Sequence, residues 1–315
     1  MIRNDLGTVR SIDLDRVTRA HRLGPALAGL RKEATGTAGR LGYYVAGNGP
    51  PLLLVHSVNA AASAYEVRPI YDAMQATHRV YALDLPGFGQ SDRSGRDYAV
   101  PLYVAAIHDM LRIIATEAGV TVVDALALSL GSEFLARAAI QAPSRFRSLT
   151  FVTPTGFARG AADLDAPTGT TREVPGLLKL LQFPLWSQPL FNLLVSRASI
   201  RHFLRRTWGS RDIDEGLFKY SYRTAHQPGA KRAPLAFVSG RLFSKDILRV
   251  YEAIAAPVWA PHGTRGDFGD FSGALPVAKK QNWRFQSYAT GAMPHFERPA
   301  DFCADLSRFL RTLSP

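Results

Sequence analysis

Residues 122–141 read VVDALALSLGSEFLARAAIQ and change halfway from the pattern of a strand to that of a helix. Val122 to Leu128 form a short apolar run that is typical of a buried strand. From Leu130 to Gln141 the apolar residues recur with helical spacing. Ser129 therefore stands in a sharp turn between a strand and a helix, and such a unit is the building block of an α/β fold.

Ser129 is a candidate nucleophile, because a serine in a sharp strand-to-helix turn is held exposed at the end of the strand. The strained backbone needs small residues two positions before and two positions after the serine, where the chain has Ala127 and Gly131. The alternative is that Ser129 only caps the helix, since serine is a favoured N-cap residue. The strand before the turn and the order of the elements favour the nucleophile.

Strands and helices alternate on both sides of this turn. Strands are predicted at 42–46, 51–56, 79–85, 122–128, 148–153, 257–261 and 283–288, and helices at 61–75, 100–118, 130–141 and 299–313. This order predicts an α/β fold whose sheet is mostly parallel, with helices on both faces. The functional site is expected at the carboxyl ends of the strands.

The alternation is interrupted after Thr153. From residue 157 to about residue 245 the chain is rich in proline and glycine, and its leucines follow helical rather than strand spacing. We predict an inserted helical lid at 157–245, a core formed by 41–156 and 246–315, and an N-terminal arm at 1–40.

The composition indicates a chain that buries a full core, since 46% of its 315 residues are hydrophobic. Its single cysteine, Cys303, excludes an internal disulfide, and the first residues lack the apolar run of a signal peptide. We therefore expect a cytoplasmic protein. The histidines show no metal-binding spacing and the glycines no complete dinucleotide motif, so no metal and no cofactor are expected.

The formal net charge of +12 makes nucleic acid and anionic membranes worth weighing as partners. The arginines are spread along the chain without a recognised nucleic-acid-binding motif, so we expect no nucleic acid. The densest cluster, Arg197, Arg201, Arg205 and Arg206, has helical spacing and favours a solvated helix face. A weak contact of this basic part of the lid with a membrane surface stays as the alternative. The sequence leaves the oligomeric state open.

Residues 53–59 read LLVHSVN, and residues 84–92 read DLPGFGQSD. Together with the turn at Ser129 these motifs resemble the α/β-hydrolase superfamily, particularly its lid-bearing esterase and C–C hydrolase branches. Such enzymes carry His-Gly where this chain has His56 and Ser57, and their loop Asp-x-Pro-Gly-x-Gly-x-Ser matches residues 84–91. The resemblance covers roughly residues 41–315 and implies the α/β-hydrolase fold with an inserted helical lid.

The resemblance also implies an oxyanion hole made of main-chain N–H groups. One donor is Leu130, which follows the nucleophile, and the other is Val58 or Ser57. Ser57 stands where the family usually has glycine, and Asn59 is a candidate for substrate contact. His56 and the 84–92 loop are expected to be structural residues that pack near the site.

The catalytic acid is expected after the strand at 257–261. The family commonly has Gly-x-x-Asp at this place, and residues 263–267 read GTRGD, so Asp267 falls one position late. We predict Asp267 as the acid and Asp270 as the second choice. An ordinary solvated loop aspartate is the alternative.

The catalytic base is expected after the last strand, where residues 290–299 read TGAMPHFERP. The family has Gly-His followed about five residues later by Glu-x-Pro, which puts Ala292 at the usual place of the histidine. His295 lies three residues further on and is the only histidine after Asp267. We predict His295 as the base, with a packing histidine in a site that lacks a conventional base as the alternative.

The predicted lid contains an unusually apolar run at 183–194, which could line an apolar substrate pocket, and packing within the lid is the alternative that accounts for most of these residues. Trp186 and Tyr222 are candidate substrate contacts from the lid. We predict a serine hydrolase that cleaves a small or medium apolar carboxylic ester or a lactone through an acyl-enzyme. The alternatives are a C–C bond hydrolase or lyase-like member of the same fold, and a non-catalytic ligand-binding or membrane-associated protein.

Overall fold

The computed structural model describes residues 23–163 and 165–313. Its centre is one eight-stranded sheet with the spatial order β1-β2-β4-β3-β5-β6-β7-β8. In chain order the strands are β1 (Leu30–Gly36), β2 (Gly39–Ala46), β3 (Pro51–Val55), β4 (Arg79–Leu83), β5 (Val123–Leu128), β6 (Phe146–Val152), β7 (Val258–Gly263) and β8 (Trp283–Tyr288). Strands β3 to β8 are parallel, whereas β2 pairs antiparallel with both β1 and β4.

The helices fall into three groups along the chain. Between the first strands lie α1 (Arg68–Met74), α2 (Val100–Ala118) and α3 (Gly131–Gln141). Between β6 and β7 lie α4 (Leu177–Leu181), α5 (Pro184–Leu194), α6 (Arg197–Trp208), α7 (Glu215–Ala225), α8 (Arg232–Val238) and α9 (Ile247–Glu252). The last group is α10 (Leu275–Ala278), α11 (Pro294–Glu297) and α12 (Pro299–Thr312), and short 3-10 turns occur at Ala64–Val67, Pro143–Arg145 and Ser272–Ala274.

The two faces of the sheet carry separate apolar layers. All residues of β3 and β5 are buried, as expected for central parallel strands covered on both faces. On one face Ile107 of α2 and Phe134 of α3 belong to the buried cluster, and on the other face Ile70 of α1 and Phe302 of α12 do. The α/β fold predicted from the alternation of elements is therefore confirmed.

The beginning of the chain differs from the expected arm. Residues 30–36 form β1 and pair along their whole length with β2, so this part of the predicted arm belongs to the sheet. Most residues of β1 are exposed, because the strand lies at the sheet edge, and its sequence therefore lacks the apolar alternation that would have revealed it. Residues 1–22 of the predicted arm lie outside the described part of the chain.

The helical segment between β6 and β7, here residues 177–238, covers the carboxyl end of the sheet. Leu204 of α6, Leu217 of α7 and Phe237 of α8 line a cavity together with Ser129. This is where an inserted lid was predicted, and its action as a lid stays a prediction.

Candidate active site

Ser129 lies between β5 and α3 with a backbone φ of +48°. A left-handed conformation at a residue other than glycine costs about 1–3 kcal/mol, and such strained residues cluster at active sites and ligand-binding sites. A Cβ atom on Gly131 would lie 2.5 Å from the carbonyl oxygen of His56, so the turn requires glycine at that position. Helix α3 has Leu130 as its N-cap and no side-chain capping hydrogen bond, so the Ser129 hydroxyl does not cap this helix, and its role as the nucleophile stays a prediction.

Thr153 directly follows the neighbouring strand β6 and is strained in the same way, with a φ of +46°. This conformation is unfavourable for a β-branched residue. Its Oγ1 donates a hydrogen bond of 2.8 Å to the carbonyl oxygen of Ala292. The N–H of Ser129 donates a hydrogen bond of 2.9 Å to the carbonyl oxygen of Val152, the residue before Thr153. A main-chain hydrogen bond therefore links the two strained turns.

A cavity of about 160 Å³ opens beside these two residues. Leucine, valine, methionine and phenylalanine side chains form much of its wall. The polar side chains that line it, besides Ser129, are Ser57, Asn59, Glu66, Thr153, Thr155, Thr207 and His295. A second cavity, of about 150 Å³, shares Ser129 and Thr153 with the first and is also lined by Arg172, Asp267 and Asp270. Ser129 therefore borders both cavities.

Of the three predicted oxyanion donors, one N–H group already donates a hydrogen bond within the protein and two do not. The N–H of Ser57 donates to Oε2 of Glu66 at 2.9 Å, so it is not available to an oxyanion. Leu130 and Val58 line the cavity, and their N–H groups make no hydrogen bond to another described residue. Among the predicted donors, Leu130 and Val58 are therefore the ones whose N–H groups are not engaged by the described residues.

Glu66, which is not among the residues predicted from the sequence, is a buried carboxyl group in the cavity wall. Its two oxygens accept hydrogen bonds from the Ser57 N–H and, at 2.8 Å, from Nδ2 of Asn59. Burial raises the pKa of this carboxyl group, against the hydrogen bonds from Ser57 and Asn59, which lower it. No motif in the sequence marks it, because residues 60–71 read AAASAYEVRPIY and a glutamate near an arginine there is typical of a helix surface.

His295 is fully buried and lines the same cavity as Ser129. Its Nε2 lies 2.8 Å from the main-chain oxygen of Glu66, which can only accept a hydrogen bond, so Nε2 carries the proton. Its Nδ1 is buried without a hydrogen-bond partner among the described residues. Burial lowers the pKa of His295 from the usual 6.5 to about 4, so the ring is neutral at pH 7 and Nδ1 holds a free lone pair.

The structure does not bring the three predicted catalytic side chains into one relay. Asp267 forms an ion pair with Arg206 of α6 and is well exposed, while His295 bonds to the main chain of Glu66. Neither Asp267 nor Ser129 shares a hydrogen bond with His295 among the described residues. His295 lies in α11, three residues beyond the loop position of Ala292, and its fully buried ring is held by the main chain of Glu66.

Asp270, the second choice for the acid, is also engaged elsewhere. Its carboxylate accepts hydrogen bonds from the N–H groups of Ser272 and Arg159, at 3.0 and 3.1 Å. Hydrogen bonds from Ser272 and from the Arg159 backbone lower the pKa of Asp270 to about 2. Asp270 is therefore a loop residue whose carboxylate stabilises the local main chain.

The His56 side chain and the 84–92 loop form buried hydrogen bonds that fix the main chain near the site. Nε2 of His56 accepts a hydrogen bond of 2.9 Å from the Leu85 N–H, and burial lowers the pKa of His56 to about 4. The Asp84 carboxylate accepts hydrogen bonds from the N–H groups of Ala64 and Gln90, both at 2.8 Å. These residues therefore have the structural role expected of them.

The three predicted substrate contacts lie in different places. Asn59 lines the cavity, but its amide is occupied by Glu66 and by the Ala61 N–H. Trp186 and Tyr222 do not line the cavity. Trp186 lies on the outer side of α5, and the Tyr222 ring is covered by the guanidinium of Arg197 at 4.5 Å. Helical spacing alone did not reveal which face of each helix turns inward.

The described residues contain no cluster of three or more histidine, cysteine, aspartate or glutamate side chains that could hold a metal ion. In the same part of the chain, no helix has the length and apolar character needed to cross a membrane.

An eight-stranded, mostly parallel sheet with a strained serine at the end of β5 defines the class of the α/β hydrolases. The family model for the alpha/beta hydrolase fold matches residues 50–232, which is more than half of the chain. The chain belongs to this family. The prediction of an α/β-hydrolase enzyme is thereby confirmed at the level of the family.

Individual relatives are distant. An uncharacterized protein of Mycobacterium tuberculosis is 27% identical over 151 residues, which are 48% of this chain and 39% of that protein. The chain therefore spans well under two thirds of the curated relatives that it matches. A serine hydrolase involved in carbazole degradation has a TM-score of 0.71 at 16% identity, over 90% of this chain and 100% of its own. A carboxylesterase of Bacillus subtilis has a TM-score of 0.67 at 15% identity, over 90% and 92%.

Proposed function

We propose that the protein is a serine hydrolase that cleaves a small or medium apolar carboxylic ester or a lactone. The observation that carries this proposal is the strained conformation of Ser129 beside an apolar cavity, next to the N–H groups of Leu130 and Val58. Strain of this kind persists where a function requires it. The names of two similar structures, a serine hydrolase and a carboxylesterase, agree with the proposal.

In the proposed reaction the Ser129 hydroxyl attacks the carbonyl carbon of the ester and passes its proton to Nδ1 of His295, which lines the same cavity but shares no hydrogen bond with Ser129 before substrate binds. The negative charge that develops on the carbonyl oxygen is stabilised by the N–H groups of Leu130 and Val58. The protonated His295 then gives its proton to the departing alkoxide, which leaves an acyl group on Ser129. Water, deprotonated by the same ring, hydrolyses that acyl-enzyme.

His295 is held by a neutral carbonyl oxygen instead of a carboxylate, and this has a consequence for rate. In a Ser-His-Asp site the carboxylate both fixes the tautomer of the ring and stabilises the imidazolium ion, and loss of the two roles together lowers kcat by about 10⁴. A main-chain carbonyl fixes the tautomer of the ring but supplies no full negative charge. We therefore expect a slow esterase whose acylation step limits turnover.

The cavity indicates the class of substrate. Its walls are mostly apolar, and the polar groups Asn59 and Glu66 are largely engaged with each other. An apolar acyl or alcohol group gains from burial there at about 25 cal/mol per Å² of apolar surface, whereas a charged group would lose its hydration.

A second candidate function is ligand binding without catalysis. It is favoured by the same contacts that separate the predicted relay, because Asp267 pairs with Arg206 and His295 with the Glu66 carbonyl. In that case the cavity would retain an apolar ligand unchanged.

One experiment distinguishes the two candidates. The purified chain is treated with a fluorophosphonate probe and assayed with p-nitrophenyl acetate and butyrate, alongside Ser129→Ala and the matched variant Ser57→Ala, whose hydroxyl lies in the same cavity. We expect labelling that is lost only in Ser129→Ala, and slow turnover that depends on Ser129. Absence of both in a folded protein, with binding of an apolar fluorescent ligand retained, would establish the non-catalytic alternative.

A further inference from the structure

The segment between Glu173 and Asp212 contains no acidic residue. It contains six basic ones, Lys179, Arg197, Arg201, Arg205, Arg206 and Arg211. This run of one sign covers α4, α5 and α6, so these helices form the most strongly positive stretch of the helical segment.

Helix α5 turns apolar side chains toward solvent. Its buried residues are Ser187 and Phe191, and Lys231 donates a hydrogen bond of 2.9 Å to the Ser187 hydroxyl. On the opposite side Leu185 is 77% exposed and Leu193 is 71% exposed. A helix on the surface of a globular protein normally has the reverse arrangement, with polar residues outside.

The exposed surface continues onto the residues before α5. Leu180 and Phe183 are exposed, and the rings of Phe183 and Trp186 pack with centroids 4.5 Å apart. We call this surface the apolar face; it consists of Leu180, Phe183, Leu185, Trp186, Leu190 and Leu193. Contiguous exposed apolar patches mark sites that bind proteins, membranes or ligands.

The charged residues of α4 and α6, the helices before and after α5, indicate which kind of partner the apolar face binds. Arg201 pairs with Glu215 and Arg206 with Asp267, whereas Lys179, Arg197 and Arg205 have no carboxylate partner among the described residues. Exposed leucine and aromatic side chains, together with cations on the neighbouring helices α4 and α6, suit the boundary between acyl chains and anionic headgroups.

Two other possible partners for the apolar face, a second copy of the chain and residues 1–22, are themselves positively charged. A second copy of the chain would bring its own positive segment against this one. Residues 1–22 contain five arginines and three aspartates, so they too carry a net positive charge. Repulsion between like charges opposes both arrangements, and an anionic bilayer is attracted instead.

We propose that the apolar face docks the protein on the surface of an anionic lipid bilayer. Leu185, Leu193 and Trp186 enter the boundary region, and Lys179, Arg197 and Arg205 lie against lipid phosphates. Helix α6 carries both Arg205 and the cavity residue Leu204, so the docked surface lies next to the cavity that contains Ser129. This docking is independent of the reaction that Ser129 performs.

The test is sedimentation of the full chain with vesicles of phosphatidylcholine alone or mixed with phosphatidylglycerol. We expect binding to the mixed vesicles only. The double variant L185Q/L193Q should bind at least about tenfold more weakly, because two leucines lose their burial. Leu275→Gln is the matched control, since Leu275 is 66% exposed but lies on α10, outside the apolar face.

The charge is tested in the same assay by Arg205→Gln, with exposed Arg284 of β8 changed to Gln as the control. We expect about fivefold weaker binding for Arg205→Gln, which corresponds to the ~1 kcal/mol that a basic residue contributes near an anionic surface. The control should bind like the wild type. A blue shift of tryptophan fluorescence on mixed vesicles should disappear in Trp186→Phe.

Thermal melts establish that each variant is folded, so that a loss of binding is not a loss of structure. Failure of the wild type to bind mixed vesicles overturns the proposal, and so does equal weakening by L185Q/L193Q and Leu275→Gln. Sedimentation velocity provides the last comparison: a dimer that L185Q/L193Q abolishes, without vesicle binding by the wild type, assigns the face to a second copy.

Discussion

The neutral state of His295 leads to a prediction about both activity and stability as the pH falls. In the proposed reaction the Nδ1 lone pair of His295 accepts the proton of Ser129. Because burial lowers the pKa of this ring to about 4, the base should stay functional well below the usual histidine pKa of 6.5. The acid limb of the kcat/KM profile should therefore lie near pH 4.

The lowered pKa of His295 also makes the stability of the folded protein depend on pH. The unfolded chain binds a proton at residue 295 below pH 6.5, whereas the folded chain does not until about pH 4. The unfolded state therefore gains protons first, and the folded state loses stability as the pH falls through this window. At 1.36 kcal/mol per pH unit, the contribution of His295 amounts to about 3 kcal/mol over the whole window.

Urea unfolding of the wild type and of His295→Gln at pH 7, 6, 5 and 4.5 measures this contribution. The glutamine amide can still donate to the Glu66 carbonyl oxygen but does not titrate, so its stability should fall less steeply with pH. Ser129→Ala is the control, because it removes the nucleophile and keeps the buried histidine. As the pH rises from 4 to 6.5, the free energy of unfolding of the wild type should rise relative to that of His295→Gln by at most about 3 kcal/mol.

Two results would refute the reasoning. An acid limb near pH 6.5 would mean that the His295 imidazolium is stabilised, by a carboxylate or by water, in a way that the observed contacts do not provide. An acid limb that survives unchanged in an active His295→Gln would mean that another group is the base. If that limb lies above pH 4.5, the buried carboxyl group of Glu66 is the candidate, since burial raises its pKa.

Three further predictions concern single side chains. Gly131→Ala places a Cβ atom 2.5 Å from main-chain oxygen and should cost about 1–3 kcal/mol in urea unfolding, whereas Gly95→Ala, with its nearest atom 4.0 Å away, should change stability by less than about 0.5 kcal/mol. Asp267→Asn breaks an exposed ion pair and should alter kcat/KM by less than about fivefold; a loss near 10⁴ would restore Asp267 as the catalytic acid. Asp84→Asn leaves a buried N–H without its acceptor and should lower the free energy of unfolding by about 1–3 kcal/mol.

Much of the fold could be read from local patterns. The helix at 100–118 and the strand at 283–288 coincide with α2 and β8. Strand β1 could not be found in this way, because most of its side chains are exposed and its stability comes from pairing with β2. The short helix α11 was also missed, and it is the element that carries His295.

The site was predictable to a different degree at each residue. Ser129 could be selected because a strand, a sharp turn and a helix are local features, and because the small Gly131 is a direct steric requirement of that turn. Glu66 was missed, since only its burial and its contacts with Ser57 and Asn59 distinguish it from a surface glutamate.

The sequence by itself determined the α/β fold and the position of the strained serine, because both depend on the spacing and size of residues that are close together in the chain. Only the tertiary structure decided the partners of His295 and Asp267. His295 bonds to a carbonyl group 229 residues away, and Asp267 pairs with an arginine 61 residues away. Hydrogen bonds and ion pairs of this kind depend on how distant segments pack, and a motif that matches in one dimension does not specify which of its side chains meet in three.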